Sequence, residues 1–208
     1  MKKLLILTTL LFLTNQTNAE SQYKEVNKIS AVIKSAKIII PIYSQKLAFQ
    51  LPTTWKAEHK DQKPSMFMME LLPKDENINS WQNLLTIQGF KNLASRGITP
   101  ERFISDMHNR FKNICGKHAV FEKLEPTMID GFSAQQAILG CSKVPNQNYS
   151  ETAYWLVIKG KKDIYVVQKA LRTKETNPIT KANYQKFTAS ITPVELCNSG
   201  GTSISCEK

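Results

Sequence analysis

"AYWLVIKGKKDIYVVQKAL", residues Ala153 to Leu171, decides the fold class. Tyr154 to Ile158 and Ile164 to Val167 are rich in aromatic and β-branched side chains, which suit a pleated and half-buried surface. Gly160-Lys161-Lys162-Asp163 between them carries turn residues and charge, so the two runs read as one long antiparallel hairpin.

Working outward, "AVFEKLEPTMIDGFSAQQAILGC" (Ala119–Cys141) reads as two more strands meeting near Asp130-Gly131. Before it, "ITPERFISDMHNRFKNICG" (Ile98–Gly116) has the layout of an amphipathic helix. Thr99 can cap it, Pro100 suits its first turn, Glu101 complements the positive end and Gly116 stops it. Phe103, Met107, Phe111 and Ile114 recur at helical spacing, so this face packs on a sheet. Leu47, Phe49 and Leu51 alternate with Lys46, Ala48 and Gln50 as in a half-buried strand closed by Pro52. "SMFMMELL" (residues 65–72) is apolar on both faces and reads as a central strand, and another strand spans about Leu84 to Phe90. "NPITKANYQKFTASITP" (residues 177–193) reads as a closing helix with Tyr184, Phe187 and Ile191 on one side. Strands, helix, four strands and a helix predict an α+β domain, an antiparallel β-sheet sandwiched by α-helices. We place this domain at residues 38–196, after a polar lead-in at 20–37 and before a tail at 197–208.

The first residues fix the expected compartment. Lys2 and Lys3 precede the apolar run Leu4–Leu13, and Thr17-Asn18-Ala19 follows with small residues where a signal peptidase cuts. The run is about half of the roughly 20 residues a spanning helix needs, so residues 1–19 read as a cleaved secretory leader rather than an anchor. The chain is strongly basic, +11 at pH 7, and is drawn to anionic surfaces, although its lysines are spread rather than blocked.

Cys115, Cys141, Cys197 and Cys206 make an even count, which in an exported chain favours disulfides. We expect Cys115–Cys141, joining a helix end to a strand end, and Cys197–Cys206, flanking a Gly-Gly turn. Zinc prefers two closely spaced pairs, and Cys115-Gly116-Lys117-His118 has no second pair to match it. No Cys-x-x-Cys redox motif is present.

The chain shows no Gly-x-Ser-x-Gly elbow, His-Glu-x-x-His helix or Gly-rich phosphate loop. His59, His108 and His118 read as solvated or helix-end residues. A pocket placing His108 or His118 beside a serine or carboxylate would point instead to a secreted hydrolase with a dispersed site. Met66, Met68 and Met69 read as core rather than a copper set, and Asp75-Glu76 as loop charge rather than calcium ligands. We therefore expect no catalytic residue, metal or cofactor. The candidate binding surface is Trp81, which opens a strand after a polar loop, together with Lys159, Lys161, Lys162, Lys169 and Arg172, a basic edge along the hairpin. Such an edge also serves to block strand pairing. Tyr154 and Tyr165 are the available base-stacking aromatics, but an exported chain seldom meets nucleic acid, and we expect none as partner.

The stretches "YSQKLAFQLPTTW" (43–55), "MELLPKDENINSWQNLLTIQGF" (69–90), "TPERFISDMHNRFKNIC" (99–115), "DGFSAQQAILGC" (130–141) and "YWLVIKGKKDIYVVQKALR" (154–172) together resemble bacterial exported proteins of the PsbP-like (Mog-type) fold. The resemblance covers roughly residues 40–195 and lies in element order rather than in a site motif, so no functional residue comes with it. It implies an antiparallel sheet between helices and a binding or assembly role, as in photosystem extrinsic subunits, a yeast Ran-binding protein and envelope proteins. The chain also resembles small exported proteins of Legionella-like bacteria that use the type II secretion route, which accepts folded, disulfide-bonded substrates. The expected protein is an exported monomeric binding protein. Its partner is a protein or an anionic envelope or host component, with acidic lipid as a further alternative.

Overall fold

The computed structural model describes residues 34–198 and Cys206; the leader at 1–19 and nearly all of the lead-in lie outside the described residues. Strand β1 (Ser35–Ile42) begins inside the segment expected as lead-in. It pairs with β2 (Gln45–Pro52), which also pairs with the last strand, β11 (Glu195–Asn198), in a three-stranded antiparallel sheet ordered β1-β2-β11.

The main sheet is antiparallel throughout. Its strands are β3 (Trp55–Gln62), β4 (Met66–Pro73), β5 (Asn83–Phe90), β6 (Ala119–Lys123), β7 (Thr127–Ile129), β8 (Phe132–Cys141), β9 (Ser150–Lys159) and β10 (Ile164–Thr173). They run in the order β3-β4-β5-β10-β9-β8-β6, with β7 added beside β8. The β9–β10 hairpin read from the sequence is the centre of this sheet, with Val166 opposite Val157 and Arg172 opposite Glu151. Helix α1 (Pro100–Cys115) has the expected ends: the Thr99 side chain accepts from the Arg102 N–H, and Gly116 stands at the C-cap with φ 56°.

The two faces of the main sheet are covered differently. One carries α1 and the loop before it, over a core that includes Phe103, Ile104, Leu139, Trp155, Val157 and Val166. The other faces the small sheet, over Ile42, Leu47, Phe49, Ile87, Ile158 and Val167. The molecule is α+β and sheet-dominated, and on this second side most of the cover is strand. Helix α2 (Tyr184–Thr188) has only five residues and continues as a 3-10 turn, Ala189–Ile191. Residues 177–183 are not helical, because Asn183 is used locally: its Oδ1 accepts from the Thr180 N–H and its Nδ2 donates to the Pro178 carbonyl.

Four further expectations are corrected by packing. The charged stretch around His59, read as lying between strands, is itself edge strand β3, where exposed charges such as Glu58 and Lys60 face water and block pairing. Ile114 does not belong to the buried stripe; it is 65% exposed, and Ile104 takes its place in the core. The Asp130-Gly131 turn links β7 to β8, with β6 a third strand in that stretch, and both turn residues have positive φ as a two-residue hairpin requires. Lys169 and its strand β10 are central, so the basic residues do not line a sheet edge.

Both expected disulfides form. Cys115–Cys141 ties the end of α1 to the end of β8, with Cα atoms 5.5 Å apart. Cys197–Cys206 ties β11 to the tail over Ala48, with Cα atoms 6.1 Å apart. Among the described residues, no helix is long and apolar enough to cross a membrane.

Candidate functional site

The loop from β4 to β5 is built to present Trp81. Asn77 accepts from the Asn79 N–H and donates to Ser80 Oγ, and the Glu76 carboxylate takes the Gln82 and Asn83 N–H groups at 2.7 and 3.0 Å. Glu76 is therefore occupied by its own loop. Trp81 is buried, 5% exposed, and over its ring lies the Arg172 guanidinium, 3.8 Å from the ring centre. Tyr149 flanks the same guanidinium at 5.2 Å, and Arg172 Nε donates to Glu151 at 2.9 Å.

Around this stack opens a cavity of about 740 Å³. Its walls combine carboxamides (Asn79, Gln82, Gln147, Asn148), hydroxyls (Ser80, Thr173) and the cations Arg172 and Lys174 on an aromatic floor. Among the described residues, no carboxylate lines it. Carboxamides offer donors and an acceptor side by side, and a planar guanidinium matches a carboxylate. The cavity therefore suits a polar ligand rich in hydroxyls that carries negative charge.

A second cavity of about 400 Å³ adjoins it through Asn148, Tyr149 and Lys174, and contains His118 with Ser142 and Ser150. This is the juxtaposition that would favour a hydrolase, but the serines are committed elsewhere. Ser142 Oγ donates to the His118 main-chain carbonyl at 3.2 Å, and Ser150 Oγ donates to the carbonyls of Thr173 and Glu175. His108 stacks on Phe121 with ring centres 4.1 Å apart, and His59 is exposed on β3.

The candidate surface residues do not form one patch. Lys159, Lys161 and Lys162 stand at the hairpin tip, and Arg172 lies opposite Glu151 near the far end of the strands. Eight residues of strand separate Ile164 from Arg172, about 26 Å at the usual rise. Lys169 is buried at 6% exposure against α2, and burial pushes its pKa down to about 8. Apart from the three lysines at the hairpin tip, only Trp81 and Arg172 of the six named residues come together. Lys174, read from the sequence as a basic position beyond the return strand, joins them in the cavity, whereas Tyr149 and the amides around it carried no sequence signal because they sit in loops. Tyr154 and Tyr165 are no stacking platform: both are buried, burial pushes their pKa values up, and their hydroxyls donate to Gln136 and to Ile42 and Asp163.

No family model matches the chain, and no curated protein does. Among solved structures it is similar to a protein of Bacteroides thetaiotaomicron VPI-5482 at 12% identity and TM-score 0.46, over 81% of this chain and 51% of that one. The chain thus spans about half the length of that protein. It is similar also to LpqN of Mycobacterium tuberculosis, a protein involved in cell envelope biogenesis, at 11% identity and TM-score 0.43 over 83% and 96% of the two chains. A third is cyanobacterial PsbP from Synechocystis sp. PCC 6803, at 10% identity and TM-score 0.42 over 72% and 88%.

Among the described residues, metal chemistry has one geometric candidate, Glu195 with Cys197 and Cys206, whose ligand atoms lie within 4.8 Å of one another. Both sulfurs are consumed by their disulfide, and the Glu195 carboxylate takes the Lys37 ammonium at 2.8 Å. A thiolate is the metal-binding form of cysteine, and neither is available here.

Proposed function

We propose that this chain is an exported accessory binding protein that holds an acidic saccharide of an envelope or host surface in the Trp81–Arg172–Tyr149 cavity. The observation that carries the reading is the lining itself: amides, hydroxyls and two cations on an aromatic floor, with no carboxylate among the described lining residues and Glu151 just behind it on Arg172 Nε. Such groups hold a ligand and repel neither hydroxyls nor negative charge. Lys174 is exposed at the rim and has no acidic partner among the described residues, while Arg172 is already oriented by its stack on Trp81. Export accounts for the two disulfides, which persist in oxidising compartments. The type II route would suit a domain stapled in this way.

Calorimetric titration with trigalacturonate, against neutral maltotriose, tests the cavity. Saturable binding of the acidic sugar, weakened about tenfold in Arg172→Gln and in Lys174→Gln, is the expected result. Equal binding of both sugars, or none, would remove the reading. Release of product from trigalacturonate or a generic ester, abolished by His118→Ala, would replace it with hydrolysis. Recovery of the chain from cytosol with residues 1–19 still attached would remove export.

A further inference from the structure

A separate groove lies along the other flank of helix α1, at the opposite end of the main sheet from the saccharide cavity. Helix α1 packs on β8, β6 and β9. Its residues Phe103 and Met107 instead border a groove of about 420 Å³, with Met66 and Phe90 from β4 and β5 and Leu93 from the following loop. The floor includes Trp155, which is 5% exposed and whose buried indole Nε1–H has no acceptor among the described residues. A buried donor left unpaired is destabilising, so an acceptor delivered by a ligand would recover that cost. Exposed Arg110 and the Asp106 carboxylate both line the groove. Arg110 has no acidic partner among the described residues, because Asp106, one turn before it, is held by Arg102 at 3.0 Å.

We propose that this groove binds a single-chain amphiphile with a carboxylate head, its alkyl chain on Met66, Phe90, Phe103 and Met107 and its head at Arg110 and the Trp155 Nε1–H. An apolar wall fits an alkyl chain, and two donors without acceptors fit an anionic head. Neither feature belongs to the saccharide cavity, so this site stands or falls independently of the proposed function.

Titration calorimetry of the full disulfide-bonded chain with decanoate and hexanoate tests it. One saturable site for decanoate is expected, with hexanoate at least tenfold weaker because each methylene adds about 0.8 kcal/mol of apolar burial. Arg110→Gln should weaken decanoate about fivefold and Trp155→Phe about threefold, while Arg172→Gln leaves it unchanged. Met66→Glu, at a half-exposed strand position, should abolish binding with the circular dichroism spectrum and melting temperature preserved. Absence of saturable heat with decanoate overturns the proposal, as does binding that survives Met66→Glu. Attachment to phosphatidylglycerol vesicles without decanoate binding would overturn it too, in favour of adsorption to a membrane surface.

Discussion

Lys169 and Phe187 are joined twice: the Lys169 Nζ donates to the Phe187 carbonyl at 2.6 Å and lies 4.4 Å from the centre of the same residue's ring. Ser190 Oγ takes a second hydrogen bond from Nζ at 2.7 Å. A lysine in the middle of a central strand thereby holds down the carbonyl end of α2, a helix too short to stand alone.

Burial pushes the Lys169 pKa down to about 8, and an unfolded chain keeps the ordinary lysine value of 10.5. Below about 8 both states carry the proton, and the cost of burying the charge is constant. Between the two values the unfolded chain binds more protons, so stability rises with pH across that window. Urea midpoints measured from pH 7 to 10 should climb in the wild type and stay flat, relative to it, in Lys169→Met. The tyrosines Tyr154 and Tyr165, whose raised pKa values remove stability at still higher pH, are common to both proteins and cancel in the difference. Parallel curves would refute the assignment.

Asp163 closes the other end of the hairpin. Its carboxylate, 1% exposed, accepts from the Ser44 N–H and hydroxyl, the Asn92 N–H at 2.7 Å and the Tyr165 hydroxyl. It therefore ties the β1–β2 turn and the loop after β5 to the main sheet. Desolvation pushes its pKa up, but the hydrogen bonds from Ser44, Asn92 and Tyr165 outweigh this and hold it below the ordinary aspartate value. The stability this supplies is present above that ordinary value and is lost as pH falls through the depressed one. Asp163→Asn places an amide donor against N–H and O–H donors and should cost about 3 kcal/mol at pH 7. The deficit should shrink as pH approaches the depressed value, which thermal unfolding at pH 7 and at lower pH reads directly.

Asp163 also shows where sequence reasoning stopped. Periodicity exposed β2, β5, β9, β10 and α1, because each buries a regular face and carries local stop signals such as Pro52 and Gly116. It missed β3, whose residues face water, and it overextended α2, because Asn183 competes for the backbone of residues 177–183. A charge at a hairpin tip reads as solvated unless the elements that fold over it are known. The same holds for Lys169, placed on a surface edge although its strand is central. In the cavity, Trp81 and Arg172 were visible as residue types, but their contact spans two distant segments and depends on the register of β5 against β10.

The two disulfides should differ in weight. Cys115–Cys141 closes a separation of 26 residues and Cys197–Cys206 one of 9. Loop-closure entropy gives about 3.5 kcal/mol for the first and about 2.5 kcal/mol for the second. Cys115→Ala/Cys141→Ala should also free the end of α1 from β8, whereas Cys197→Ala/Cys206→Ala removes the cover from Ala48 in β2. Denaturant midpoints of the two double variants should fall in that order. Intact mass should rise on reduction by two hydrogen atoms per bridge, and four free thiols in the native protein would contradict both pairs.

Glu151 is the residue that sets how available Arg172 is. Its carboxylate takes Arg172 Nε at 2.9 Å in a pair whose side chains are 24% and 31% exposed, so its contribution to stability is small, about 0.5 kcal/mol. An acidic ligand entering the cavity competes with Glu151 for the same guanidinium, while the Trp81 ring keeps that guanidinium in place. Glu151→Gln should therefore leave the unfolding midpoint nearly unchanged and tighten trigalacturonate binding severalfold. Arg172→Gln in the same background should erase the gain. Rising ionic strength should weaken binding to both proteins, because the cations at the rim remain solvent-exposed. If Glu151→Gln weakened binding instead, the carboxylate would be positioning Arg172 rather than occupying it, and Trp81 alone would not suffice to orient the guanidinium.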